Sequence, residues 1–148
     1  MIETIEHPEL IAIGFLVEAH WNELPRVIPK TWKRLFALDT GATSFLEVSI
    51  SRDKGTYREL VGFLAAKKTI VPIGMARLTI PANRYLRIIH DGPLVGIAQG
   101  FETLYAHASA EGLTATDLKL DFGYAPGLPP GRHELHVALA PYEAPRLG

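Results

Sequence analysis

The stretch from Ile80 to Gly112 (IPANRYLRIIHDGPLVGIAQGFETLYAHASAEG) constrains the fold more than any other part of the sequence. Arg84–His90 is rich in isoleucine and carries an aromatic residue, which favours a β-strand. Asp91-Gly92-Pro93 then predicts a helix start, with the aspartate as N-cap and the proline in the first turn. The apolar residues that follow recur at helical intervals: Ile97, Phe101, Leu104, Tyr105 and Ala108. Gly112 suits the position that closes such a helix.

The same pattern occurs earlier in the chain. Moving back 69 positions from four of the helix residues gives the apolar residues Ile28, Trp32, Leu35 and Phe36. The flanking strands also correspond, since Leu10–His20 mirrors Arg84–His90 and Phe45–Ser51 mirrors Leu118–Tyr124. These matches predict two strand–helix–strand–strand units that arose by internal duplication. A chance likeness between two amphipathic helices is the alternative.

The remaining patterns complete an α+β domain that spans residues 1–148. The first helix is predicted from about Pro29 to Asp39, which leaves Trp21 in a loop. The further strands are predicted at Phe45–Ser51, Tyr57–Thr69, Ala76–Ile80, Ala115–Gly123 and His133–Leu139. Ala125–Gly131 is a loop, and the tail Ala140–Gly148 is expected to be loose. Many strands with two helices predict an antiparallel sheet that carries both helices on one face.

Several classes of function lack support in the sequence. A formal net charge of −1 without a basic stripe argues against a nucleic-acid surface. The absence of cysteine removes thiolate nucleophiles and zinc–sulfur sites, and no nucleophile or phosphate-loop motif occurs. His133 and His136 are three residues apart on a strand, so they point to opposite faces and cannot share a metal. We expect no catalytic residue, metal or cofactor, and a cytoplasmic protein without a signal peptide or membrane span.

Two glutamates in predicted strands are candidates for a special role. Glu134 lies in a strand whose neighbours are typical of a core, and its simplest interpretation is a solvent-facing side chain. At the junction of the two repeats it would instead be a partly desolvated carboxylate, which attracts a positively charged apolar ligand. Glu47, in the corresponding region of the first unit, is the second candidate for this position.

Five segments resemble the GyrI-like small-molecule-binding family, the effector-binding domain of AraC- and MerR-type multidrug regulators. The segments are Tyr57–Gly62 (YRELVG), Val71–Met75 (VPIGM), Ile80–Tyr85 (IPANRY), His90–Pro93 (HDGP) and His133–Pro141 (HELHVALAP). The resemblance covers essentially the whole chain and implies a ligand groove at the junction of two repeats. It also implies that lipophilic, often cationic, compounds bind there to aromatic residues around a buried glutamate. By motif position that glutamate is Glu134, and the family's strand tyrosine is Tyr85. No DNA-binding module is recognisable, so the chain is similar to stand-alone members, among them mobile-cassette proteins that bind cationic drugs.

The leading hypothesis is therefore a binding module for lipophilic cationic small molecules, either as a drug-sequestering protein or as the effector sensor of a regulator. Besides Glu134 and Tyr85, the predicted groove residues are Trp32, Phe101 and Tyr105 on the helices, Phe63 on the sheet and Trp21 at the mouth. The alternative is a hydrolase that uses the groove glutamate as a general base. A third hypothesis is a module that acts on a protein partner, either a regulator or gyrase. A monomer and a homodimer are both compatible with the sequence.

Overall fold

The computed structural model describes every residue of the chain, Met1–Gly148. It contains nine strands, two helices and one short 3₁₀ turn. Their bounds, in chain order, are β1 (Glu3–His7), β2 (Leu10–His20), α1 (Leu24–Phe36), β3 (Phe45–Asp53), β4 (Thr56–Ala65), β5 (Ala76–Ile80), β6 (Asn83–Gly92), the 3₁₀ turn (Leu94–Gly96), α2 (Ile97–Ala110), β7 (Ala115–Phe122), β8 (Gly131–Leu139) and β9 (Arg146–Leu147). Neither helix is long and apolar enough to cross a membrane.

All nine strands form one antiparallel sheet in the order β1-β6-β8-β7-β3-β4-β2-β5-β9. The predicted antiparallel α+β fold is therefore confirmed. The units β2-α1-β3-β4 and β6-α2-β7-β8 occupy the middle of the sheet in mirrored order, β6-β8-β7 beside β3-β4-β2. The two units meet at the seam between β7 and β3, as a duplication about a two-fold axis requires.

Two short links force the sheet to curl. Pro8-Glu9 joins β1 to β2, and Pro81-Ala82 joins β5 to β6, although each pair lies six strand positions apart. Six strand spacings amount to about 29 Å in a flat sheet, whereas a two-residue link reaches only about 11 Å. The two ends of the sheet must therefore approach each other. The concave face holds an apolar core drawn from both units, including Ala12, Val48, Leu60, Leu78, Leu120 and Ala138.

The helices cover the convex face and leave its centre open. Helix α1 packs on β2 and β4, where Trp32 and Leu35 are fully buried. Helix α2 packs mainly on β6 and β8, where Leu104 and Ala108 belong to the same buried apolar cluster as Leu135. The seam strands β3 and β7 lie between these two supports. The duplication therefore produces a groove with a helix on each side and the seam as its floor.

The structure corrects several predicted boundaries. Helix α1 begins at Leu24 instead of Pro29, because Pro25 occupies the first turn, where a missing N–H costs nothing. Pro29 lies inside the helix, which continues because its buried face anchors it to the sheet, and the helix ends at Phe36 instead of Asp39.

At the start of α2 and near the C-terminus, the structure again differs from the prediction. The Asp91 N-cap is wrong, since this residue belongs to β6 and α2 begins only at Ile97. Strand β4 ends at Ala65, four residues before the predicted Thr69. The tail that was expected to be loose contains β9, which pairs with β5.

Candidate ligand-binding site

A groove of about 1020 Å³ lies between the two helices on the convex face. One wall comes from α1 and the turn before it, namely Trp21, Leu24, Pro25, Ile28, Pro29 and Trp32. The other comes from α2 and the 3₁₀ turn, namely Leu94, Val95, Ile97, Ala98, Phe101, Glu102 and Tyr105. Ile28 and Ile97, and likewise Trp32 and Phe101, are equivalent positions of the two units. The duplication therefore lines both walls with matching apolar side chains.

The floor of the groove carries three carboxylates on adjacent strands: Glu47 on β3, Glu59 on β4 and Asp121 on β7. Glu47 lies directly opposite Asp121 across the seam. Glu59 and Lys119 lie on either side of Ser49 in the next row of the sheet. Because paired residues of neighbouring strands point to the same face, all of these side chains face the groove. We call Glu47, Glu59 and Asp121 the floor carboxylates.

Aromatic side chains hold two of the floor carboxylates in place. The indole Nε1 of Trp32 donates a hydrogen bond of 2.7 Å to Glu47 Oε1. Trp32 is fully buried, and the ring of Tyr124 stacks on it at a centroid distance of 4.5 Å. Asp121 accepts a hydrogen bond from the hydroxyl of Tyr124, and its other oxygen lies 2.9 Å from His133 Nδ1. The positions of these carboxylates are thus set by packed rings, so the charges are held in advance of any ligand.

Burial raises the pKa of all three floor carboxylates, and repulsion between like charges adds to the shift at Glu47 and Glu59. Glu47 and Glu59 still touch the solvent of the groove, but they lie deep among protein atoms. Burial, followed by the charge of Asp121, raises the pKa of Glu47 to about 7. Burial, followed by the charge of Glu47, raises the pKa of Glu59 to about 8, although Lys119 opposes the shift. Burial also raises the pKa of Asp121, against the hydrogen bonds from His133 and Tyr124. The floor therefore favours an incoming positive charge.

The structure brings four of the predicted site residues together. Trp32, Phe101 and Tyr105 line the walls, and Trp21 lies at the mouth with 61% of its surface exposed. Tyr105 also donates a hydrogen bond of 2.6 Å to the carbonyl of Thr116, which fixes its ring. Phe63 is on the same face of the sheet, but it is buried beneath α1 and does not line the groove.

Glu134 and Tyr85 lie on the opposite face of the sheet, which corrects the prediction that placed them in the groove. His133 contacts Asp121 on the groove side, so the next residue along β8 points the other way. The carboxylate of Glu134 instead pairs with Arg87 at 2.9 Å and with Arg132 at 3.5 Å.

Tyr85 is completely buried in the concave core, and burial raises its pKa to about 12. Of the two glutamates considered from the sequence, Glu47 is the one that faces the groove.

Sequence reasoning missed Glu59, Asp121 and Lys119. A signal for the face was present in β3, where Leu46, Val48 and Ile50 alternate with the side that carries Glu47. No comparable signal in the sequence indicates which strands pair at the seam. That pairing is what brings the three missed residues into the groove.

Comparison with known proteins supports the same fold. No family model matches the chain. The transcriptional regulator BrlR of Pseudomonas aeruginosa is 30% identical over 126 residues, which are 81% of this chain and 46% of that protein. The chain thus spans about half the length of this curated relative.

Among solved structures, SAV2435 bound to tetraphenylphosphonium superimposes with a TM-score of 0.72 at 11% identity, covering 95% of this chain and 94% of that one. The C-terminal domain of EcmrR superimposes with a TM-score of 0.63 at 14% identity, covering 94% and 96%. The chain has the fold of the GyrI-like effector-binding domain, which confirms the resemblance recognised from its motifs.

Proposed function

We propose that the groove binds a lipophilic small molecule that carries a positive charge, and that the chain serves as a drug-sequestering or effector-sensing module. The observation that carries this proposal is the set of three floor carboxylates beneath apolar and aromatic walls. Lys119 is the only lysine that lines the groove, and Arg52 is the only arginine.

The floor carboxylates cost free energy when no counter-ion lies above them. A desolvated carboxylate without a counter-ion is unfavourable, and Glu47 and Asp121 are neighbours of like charge. A lipophilic cation relieves both costs at once, because it brings the missing charge and keeps water out. A desolvated cation–π contact contributes about 2 kcal/mol, and each stacked aromatic about 0.5–1.5 kcal/mol. A few such contacts, together with the attraction of a floor carboxylate, supply a free energy of about −8 kcal/mol, which corresponds to micromolar binding.

The relatives support the proposal in two ways. SAV2435 is described as bound to tetraphenylphosphonium, which is a lipophilic cation. BrlR is described as a transcriptional regulator, and this chain matches less than half of it. We therefore propose a link to transcription regulation, with a regulator or gyrase as the candidate protein partner.

Intrinsic fluorescence provides a direct test, because both tryptophans of the chain, Trp21 and Trp32, line the groove. The protein is titrated with methyltriphenylphosphonium and with triphenylphosphine oxide, a neutral compound of similar size. We expect micromolar binding of the cation and binding of the neutral compound that is at least about tenfold weaker. Equal affinity for the two compounds would refute the role of the carboxylates.

Two matched variants test which carboxylate interacts with the cationic ligand. Glu47→Gln removes a floor carboxylate and keeps its shape, and we expect it to weaken cation binding about ten- to a hundredfold. Glu134→Gln removes a carboxylate from the opposite face of the same sheet, so it should leave the affinity unchanged. If both variants lose the same affinity, the effect is a general loss of negative charge and the site assignment fails.

Hydrolysis is the second candidate function. The observation that favours it is the raised pKa of Glu47, about 7, because a general base works best when its pKa is near the working pH. Glu47 would then take a proton from water as the water attacks an electrophilic ligand. The test is turnover of activated esters by the wild-type protein and by Glu47→Gln. Ligand binding without turnover would refute hydrolysis and leave binding as the only function proposed for the groove.

A further inference from the structure

The groove is electrically asymmetric along its length. Glu47 and Asp121 form one row of the floor, whereas Lys119 lies in the next row, on the other side of Ser49 from Glu59, and Arg52 lies further along the same direction. There the groove continues into a smaller pocket of about 210 Å³, which we call the end pocket. Its lining consists of Arg52, Tyr57, Tyr105, Asp117 and Lys119, and all of these except Asp117 also line the groove. The two cavities are therefore parts of one site with two different electrostatic environments.

The ammonium group of Lys119 has no ionic partner. None of the ion pairs of the protein includes Lys119, so no carboxylate oxygen lies within 4 Å of its Nζ. The Nζ atom lies instead 5.8 Å from the ring centroid of Tyr57 and 5.5 Å from that of Phe101. An ammonium group offers three hydrogen-bond donors, and an aromatic ring does not accept them as a carboxylate oxygen does. Lys119 is thus half-buried, oriented by aromatic rings and open to an anion.

The second cation of the end pocket is also weakly engaged. Arg52 has one ionic contact, with Asp117 at 3.7 Å. The side chain of Arg52 is 56% exposed and that of Asp117 is 50% exposed. Such a surface pair contributes little and is easily rearranged. With two cations and one acid, the end pocket carries an excess of one positive charge.

A ligand with a positive charge alone would not use this end of the site. Asp121 and Lys119 are two residues apart on β7, which places their Cα atoms about 7 Å apart. A cation over the floor carboxylates therefore meets the like charge of Lys119 at close range. An acidic group on the ligand turns this repulsion into an attraction when it occupies the end pocket. The volume there corresponds to about seven water molecules, which is enough for a carboxylate with part of its hydration shell.

We propose that the ligand is dipolar: its cationic centre lies over the floor carboxylates, and an acidic group about 7 Å away lies in the end pocket against Lys119. This inference rests on the proposed function and specifies its ligand class as lipophilic zwitterions. It also explains why a lysine lines a groove otherwise suited to cations. Lys119 lowers the pKa of Glu59 from beyond ion-pair distance, so its ammonium group remains available to an anion.

The test uses rhodamine B, a zwitterion at neutral pH, and its ethyl ester, which has the same ring system and only the positive charge. Fluorescence anisotropy gives the affinity of each dye for the wild-type protein, Lys119→Met, Lys119→Arg and Lys33→Met. Lys33 is exposed on α1 and does not line the groove, so this variant controls for net charge.

We expect the wild-type protein to bind the acid about tenfold more tightly than the ester. Lys119→Met should lose this preference, whereas Lys119→Arg and Lys33→Met should keep it. If the ester binds as tightly as the acid, the dipolar ligand is wrong while the cation site stands. If neither dye binds, both proposals fail. A preference that survives in a folded Lys119→Met protein, checked by its melting temperature, would overturn the role of Lys119.

Discussion

Binding of a cation in the groove should release protons from the floor carboxylates. Methyltriphenylphosphonium is the suitable ligand for this prediction, because its charge is permanent and any released proton must come from the protein. In the free protein Glu47 and Glu59 have pKa values of about 7 and about 8, mainly because of burial. A cation close to both carboxylates favours their ionised forms and lowers these pKa values. The complex therefore holds fewer protons than the free protein near neutral pH.

The raised pKa values set the size of the effect. At pH 7 a carboxyl group with a pKa of about 8 is mostly protonated, and one with a pKa of about 7 is half protonated. Binding at this pH should therefore release about one proton. The affinity should rise between pH 6 and pH 8 by about tenfold if Glu47 alone must ionise, and by about fiftyfold if Glu59 alone must do so.

Calorimetry measures the released protons directly. The titration is carried out at pH 7 in phosphate and in Tris, two buffers with very different ionisation enthalpies. The difference between the apparent binding enthalpies, divided by the difference between the ionisation enthalpies, gives the number of protons. Glu59→Gln should lower this number and flatten the pH dependence. Glu134→Gln, on the opposite face, should change neither quantity.

The refuting result is equally specific. If the binding enthalpy is the same in both buffers and the affinity is constant from pH 6 to pH 8, the floor carboxylates do not ionise on binding. A cation that binds under those conditions would be held by the aromatic walls alone. The floor carboxylates would then play no part in selecting a cationic ligand, even though the groove binds the compound.

Three further predictions concern stability. Glu59 keeps its proton up to about pH 8 in the folded protein, whereas the same group loses it near pH 4.5 in the unfolded chain. The melting temperature should therefore fall by at least about 2 °C from pH 6.5 to pH 8.5, and Glu59→Gln should reduce this fall. His136 is buried with both ring nitrogens unpartnered, and burial lowers its pKa to about 3; His136→Phe should therefore stabilise the fold by about 1 kcal/mol in urea unfolding, without an effect on cation binding. Gly14 faces Gly62 across β2 and β4, and an added Cβ would lie 2.1 Å from the Val61 carbonyl oxygen; Gly14→Ala should lower the melting temperature by about 5 °C or more, whereas Gly131→Ala, where the added Cβ meets nothing, should not.

The buried histidines determine the pH range in which the fall in melting temperature can be measured. Burial lowers the pKa of both His7 and His136 from the ordinary value of 6.5. Between their folded and unfolded pKa values the unfolded chain binds more protons, so these groups raise the stability as the pH rises. Above pH 6.5 both imidazoles are largely neutral in either state. Only above that pH does the opposite trend of the carboxylates appear by itself.

The two helices could be predicted from the sequence because local periodicity is enough to indicate a helix. The three- and four-residue spacing of apolar side chains is a property of one helix, so both helices and their equivalence could be recognised without knowing the sheet. The helix starts could not be placed as well. The two prolines predict that no helix precedes Pro29, but Pro25 lies in the first turn of α1 and tertiary packing tolerates Pro29 inside it.

The groove carboxylate was harder to predict, because β8 is buried on both faces. Leu135 and Val137 pack under α2, while His136 and Ala138 face the concave core, and all four are at most 1% exposed. Alternation of polar and apolar residues identifies the outer face of a strand only when one face meets solvent. In β8 that information is absent, so motif position assigned Glu134 to the wrong face.

The position of the floor carboxylates follows from the duplication. Two copies of a strand–helix–strand–strand unit meet along a seam, and each helix covers the strands of its own unit that lie away from that seam. The seam is thus the part of the convex face that remains open, and its register pairs Glu47 with Asp121. Folding alone does not favour two neighbouring carboxylates at this position, because their repulsion and desolvation lower the stability of the free protein. In the complex that we propose, a bound cation removes this cost, so the repulsion that weakens the free protein favours binding of the ligand.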